Sequence, residues 1–230
     1  MTISWKVDPE AREICWRSLR DAPKDMVEGH LSLILDLGSS NGAFGKLVLG
    51  DRDARIVGVD ISRDAPPAEG VEFVQADILH LPFKKESFDL VSARAVLHHV
   101  PSDLERVVTE ASRVLRQGHR FICQEPTSDN LLSELARRLV QTTLHDPSER
   151  AFSSARLRDV VSRSLAVSEM RYHLIYTYLL PHIASRLGGL GRKALLGLSR
   201  LLVEVDEKLI SRGPFWERRA AYVTLSAEKE

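Results

Sequence analysis

Cysteine is scarce in this chain, and the two that exist, Cys15 and Cys123, stand far apart in unlike contexts. That excludes a disulfide-stapled scaffold and any CxxC metal or redox spacing, and it points to a reduced compartment. An excess of one charge is also lacking, because 32 Lys and Arg balance 32 Asp and Glu. No global field draws in a polyanion, so there is no strong nucleic-acid signal. No apolar run approaches the ~18 residues of a membrane span, and the first residues lack the shape of a signal peptide. The expectation is therefore a cytoplasmic protein with no transmembrane segment. His145, His173 and His182 are scattered without shared ligand spacing, and no metal site is expected. Internal repeats, low-complexity tracts and long linkers are missing too. The 230 residues read as a single domain, 1–230, able to bury a sizeable core.

The most informative stretch is Leu33-Ile34-Leu35-Asp36-Leu37-Gly38-Ser39-Ser40-Asn41-Gly42. A short apolar run ends in an acid, turns through small residues and enters the helix-like segment 43–49. A turn of this kind presents backbone N–H groups and little bulk to a ligand. Further strand-like runs follow. Arg55 to Ser62 reads as a strand with an acid, Asp60, at its carboxyl end, and Val71 to Ile78, which carries Asp77, is followed by Leu81-Pro82-Phe83. Ser87 to Ala93 runs into Arg94-Ala95-Val96-Leu97-His98-His99-Val100. Phe121 to Gln124 ends at Glu125-Pro126. Strands alternating with helical stretches argue for an α/β fold with a parallel sheet.

The order and spacing of these segments resemble the class I, Rossmann-like S-adenosylmethionine (SAM) dependent methyltransferases, in particular the small-molecule, type 11-like group. Asp36, Gly38 and Gly42 match that family's acid-x-Gly-x-x-x-Gly pattern. The resemblance implies a seven-stranded, mostly parallel sheet flanked by helices, with a reversed last strand. It also implies SAM as cofactor. Asp36 would orient the methionine amine, often indirectly, and Ser39, Ser40 and Asn41 would line the loop. Asp60, about 24 residues after Asp36, would accept from the ribose hydroxyls. Asp77 would accept from the adenine amino group, and Ile61 and Ile78 would flank the adenine ring. Arg94, at the first position after the fourth strand, would sit beside the cofactor. Two departures stand out: Ser40 replaces the middle glycine of the loop, where a Cβ is tolerable only if φ stays negative, and the Pro-Gly-Gly turn before the fifth strand reads Gln117-Gly118-His119.

The cofactor-binding half spans about 30–126, and the substrate side about 127–230. His98 and His99 are the catalytic candidates, since a histidine there can take a proton from the nucleophile or orient the acceptor. His99 and Glu125 are the substrate-side candidates, Glu125 either touching an acceptor amine or hydroxyl or, equally, capping the next helix. Helices are expected over 9–19 with Asp8 as N-cap, from the Ser102–Glu105 capping box to about Arg116, over 127–144 and over 154–165. Strands are expected over 167–175 and 221–226. The helical insertion 176–212 carries the stripe Leu190, Ala194, Leu198, Leu201, Val205 and Leu209. It is expected to pack on the sheet domain or a second subunit (a possible homodimer), with a lid over an apolar pocket as the second reading and a membrane-surface helix as the third. The expected activity is methyl transfer from SAM to a small-molecule acceptor of lipid, quinone or isoprenoid kind. A non-catalytic SAM-binding scaffold subunit and a nicotinamide-dependent oxidoreductase are the alternatives.

Overall fold

A computed structural model describes residues 7–62, 67–139 and 151–230. Its strands are β1 (Leu33–Leu37), β2 (Arg55–Asp60), β3 (Val71–Gln75), β4 (Phe88–Arg94), β5 (Leu115–Pro126), β6 (Ala166–His173) and β7 (Tyr222–Glu228). They form one seven-stranded sheet in the order β3-β2-β1-β4-β5-β7-β6. The pairs β1–β2, β1–β4, β2–β3 and β4–β5 are parallel. The last strand is reversed, as expected. Gly118 donates to the carbonyl of Lys229 at one end of β5, while Thr127, just past the other end, donates to Ala221. In β1 and β4 nearly every side chain is buried. Strands covered on both faces are predominantly apolar, which is why these read as hydrophobic runs interrupted only by Asp36, Asp89 and Ser92 among their buried residues.

The helices are α1 (Pro9–Cys15), α2 (Arg17–Asp25), α3 (Ala43–Leu49), α4 (Leu104–Val114), α5 (Leu131–Leu139), α6 (Ser154–Val161), α7 (Leu180–Ala184), α8 (Gly189–Ile210) and α9 (Pro214–Glu217). Asp8 caps α1, its side chain accepting from the Ala11 N–H at 2.9 Å. The expected helix 9–19 instead breaks at Trp16 into α1 and α2. The capping box at 102–105 does not form. Asp103 is the N-cap, which places Arg106 and not Glu105 at the third helical position, and Glu105 pairs with Arg163 at 2.7 Å. Of the helix expected over 127–144, the described part is α5, and 140–144 lie outside the described residues.

The described residues gather into two compact units. The larger, within 22–125, 155–171 and 224–230, holds most of the sheet and a core built on Met26, Ile34, Phe44, Val48, Ile56, Leu90 and Ile122. The smaller, within 1–21, 126–154 and 172–223, contains α1, α7 and α8. There Arg192 clasps Asp8 at 2.7 Å, and Ala11, Ala184 and Leu196 share a small core. The long helix does not bury the stripe foreseen from its periodicity. Its buried residues are Leu196, Ser199 and Asp206, while Leu190 is 84% and Leu201 58% exposed. No helix among the described residues is long and apolar enough to cross a membrane.

Candidate functional site

The strand order reverses between β1 and β4, and in an open parallel sheet that is where a crevice opens outside the strands' carboxyl ends. The loop 38–42 leaves β1 at this point. Gly38 takes φ +59°, and a Cβ on it would lie 2.2 Å from Val96 Cγ2. Gly42 takes φ +79°, and its Cβ would lie 2.7 Å from Val71. Both positions therefore need a residue without a side chain. Ser40 departs from expectation: its φ is +50°, in the left-handed region. Its N–H donates to Asp60 Oδ2 at 2.8 Å, and this bond offsets the strain of a Cβ there. Ser39 packs its hydroxyl over Gly58 on β2, where a Cβ would meet it at 2.5 Å. Asn41 Oδ1 accepts from Ala43, closing the loop onto α3.

Asp36 is fully buried beneath this loop. Oδ2 accepts from the Gly45 N–H at 3.0 Å, and Oδ1 accepts from Ser92 Oγ at 2.7 Å. Burial pushes its carboxyl up to about 6, against the pull of those two hydrogen bonds. Any influence of Asp36 on a ligand is exerted through α3 and β4, which it ties to β1 by way of Gly45 and Ser92. Ser92 was not singled out from the sequence, although a hydroxyl inside the apolar run Leu90-Val91-Ser92-Ala93 was a readable signal.

Two carboxylates and an uncovered apolar side chain stand at the ends of β2 and β3. Asp60 also accepts from the Ser62 N–H on Oδ1 at 3.0 Å, so each oxygen holds one backbone donor and keeps a second lone pair. Asp77 Oδ1 accepts from Leu79, and its side chain is 46% exposed. Ile61 is 72% exposed, with its carbonyl held by Gln75 Nε2 at 3.0 Å, whereas Ile78 is buried. Acceptors for a diol and an amino group, with an apolar plate beside them, fit a nucleoside's chemistry. Arg94 is the last residue of β4 rather than the first beyond it. Its guanidinium lies 5.6 Å from the Phe44 ring centroid.

The segment after β4 turns sharply at Ala95, whose φ is +50°, into a single 3-10 turn, Leu97–His99. Glu125, expected to face an acceptor, is instead completely buried. Its Oε1 accepts from the Val96 and Leu97 N–H groups at 2.9 and 3.0 Å. Its Oε2 meets His98 Nδ1 at 2.9 Å. The His98 ring keeps 14% exposure, and the exposed His99 lies against it with centroids 4.2 Å apart. Val96, the residue packed on Gly38, is a further member of the site that sequence reasoning missed. Nothing in a lone valine marks it.

Residues 35–123 match the model of a methyltransferase-domain family. A demethylmenaquinone methyltransferase of Thermobifida fusca is 32% identical over 124 residues, 50% of this chain and 51% of that protein. A 27-O-demethylrifamycin SV methyltransferase of Amycolatopsis mediterranei is 35% identical over 99 residues, 38% of this chain and 36% of the relative. The chain thus aligns with about half or less of these relatives' length. Among solved structures, a putative methyltransferase in complex with the Haloferax volcanii Trm112 activator superposes with a TM-score of 0.64 at 17% identity, over 95% of this chain and 93% of the other.

Proposed function

Because the chain belongs, through residues 35–123, to the methyltransferase-domain family of class I SAM-dependent enzymes, we propose that it transfers a methyl group from SAM to a small, apolar acceptor. That membership sets aside the nicotinamide reading. The observation that carries the proposal is the pairing of Asp60 and Asp77 around the exposed Ile61, next to a loop whose glycines leave no room for side chains.

Bound SAM supplies a sulfonium methyl that is already electrophilic. The chain therefore has to hold and align, effects worth up to about 7–11 kcal/mol. Asp60 receives the ribose diol on its free lone pairs. Asp77 receives the adenine amino group, and Ile61 covers the ring with Ile78 beneath. The backbone from Gly38 to Gly42, with Ser39, Ser40 and Asn41, borders the methionine end, and Asp36 anchors α3, into which that backbone leads, through Gly45. Arg94, above Phe44, supplies a positive charge at the mouth. The side chains of His98 and His99 border the place of transfer.

The match to a relative named as a demethylmenaquinone methyltransferase supports an apolar acceptor of quinone, lipid or isoprenoid kind. Calorimetric titration of the purified chain with SAM tests the first half of the reading. Incubation with methyl-labelled SAM and fractionated cell extract tests the second. Binding without any label leaving SAM would favour a non-catalytic scaffold subunit. Label in the lipid or small-molecule pool supports the proposal, and label in protein or RNA overturns it.

A further inference from the structure

Glu125 has no exposed surface and makes hydrogen bonds with both oxygens, one of them with the neighbouring His98 ring. Two backbone N–H groups, of Val96 and Leu97, converge on Oε1, so the carboxylate acts there as acceptor only. An ionised Glu125 accepts at Oε2 as well, which places the proton of the 2.9 Å contact on His98 Nδ1. A neutral imidazole protonated at Nδ1 carries its lone pair on Nε2. Among the described residues no hydrogen bond engages that Nε2, and the ring keeps an open edge. The same glutamate holds the turn in which Val96 packs against Gly38 of the loop, so the base and the loop share one brace.

We propose that His98 is the general base of the transfer, that Glu125 is its positioning residue, and that the acceptor reacts through a phenol-like hydroxyl. This rests on the methyl-donor reading above. The O–H bond breaks with its proton passing to His98 Nε2. The oxygen's electron pair forms the O–CH3 bond, and the S–CH3 pair returns to sulfur, leaving a neutral thioether. The imidazolium so formed lies against the Glu125 carboxylate, which stabilises it. An acceptor that is protonated at neutral pH needs an oriented base of this kind, and the quinone-like acceptor of the reading above carries phenolic hydroxyls in its reduced form. A phenol, with a pKa near 10 like tyrosine, stays protonated at neutral pH and requires such a base.

Glu125→Gln separates this role from mere support of the turn. The amide oxygen can still accept from Val96 and Leu97, but its NH2 must then face His98 Nδ1 and drive the imidazole proton to Nε2. Nitrogen-15 spectra of the ligand-free chain read the tautomer directly. The expected result is Nδ1–H in the wild type and Nε2–H in the variant. SAM affinity by calorimetry should stay within about twofold in both. The general-base contribution should be lost, so kcat should fall about 10²–10⁴-fold with little change in the acceptor's KM. His98→Gln should give the same loss, and it decides the matter should Glu125→Gln fail to fold. With 13C-methyl SAM and cell extract, the labelled product should be a methyl ether.

Nε2–H in the wild type, a reversed tautomer with unchanged kcat, or an N-, S- or C-methyl product would each overturn the proposal. Failure of the wild-type chain to bind SAM would instead defeat the donor reading beneath it. The two failures are thus distinguishable.

Discussion

The carboxylate of Asp60, at the end of β2, holds the N–H of Ser40 in the loop after β1 at 2.8 Å. One residue thus shapes the loop and, on the proposed reading, binds the ribose as well. Asp60→Ala should weaken SAM binding by roughly 1–3 kcal/mol, since charged hydrogen bonds are lost and the loop is released. Asp60→Asn keeps one acceptor and should lose less. Calorimetry on the three proteins gives the order, and equal affinities would show that the ribose lies elsewhere.

Gly38 and Val96 are packed so closely that no side chain fits between them. A methyl at Gly38 would meet Val96 Cγ2 at 2.2 Å and would also force an L residue to φ +59°. Gly38→Ala should therefore destabilise the fold by about 1–3 kcal/mol and lower SAM affinity. Two causes are superimposed here, and Val96 separates them. The double variant Gly38→Ala/Val96→Gly removes the 2.2 Å contact with Cγ2 and the 2.6 Å contact with Cβ but not the backbone strain, so it should recover part of the loss. Chemical denaturation of the four proteins of the cycle measures the coupling. Strict additivity would mean that strain alone is responsible.

The sheet was legible because its strands are apolar runs ending in acids and small residues, a pattern dictated by burial on both faces. The long helix was not. Leu190, Ala194, Leu198, Leu201, Val205 and Leu209 recur with helical period, yet α8 turns Leu196, Ser199 and Asp206 inward. Periodicity locates an apolar face but cannot say what lies opposite it, and here a carboxylate is the anchoring group. The site shows the same divide. Asp60, Asp77 and the glycines could be picked out by position, because the chain reaches the ends of β1, β2 and β3 in a fixed order. That Glu125 points inward to His98 depends on a turn at Ala95 that no sequence pattern announces.

Asp206 is the clearest case of a residue whose importance is tertiary. It is 3% exposed and accepts from the N–H groups of Ile175, Tyr176 and Thr177 and from Thr177 Oγ1. Asp206→Ala would leave those donors buried without a partner, at a cost of roughly 3 kcal/mol or more. Leu190→Ala, on the same helix but 84% exposed, should change stability by no more than about 0.5 kcal/mol. Thermal unfolding of the pair checks the contrast. A larger effect from Leu190 would mean that its face is covered in solution.

Asp36 predicts a pH dependence whose sign is opposite to that of an ordinary salt-bridged acid. Burial raises its folded-state pKa to about 6 from 3.8, so the folded protein binds the proton more tightly than the unfolded chain does. The stability associated with this group is fully present below 3.8 and is lost as pH rises through about 6. The loss amounts to roughly 2–3 kcal/mol, at 1.36 kcal/mol per unit. Asp36→Asn removes the titration. Its amide oxygen can accept from Gly45, and Ser92, which also lies 3.4 Å from the Leu35 carbonyl, can turn to accept from the amide NH2. Relative to wild type the variant should therefore gain stability between pH 4 and pH 7. Urea denaturation across that range measures the difference, and parallel curves would show that Asp36 titrates as an exposed carboxylate does.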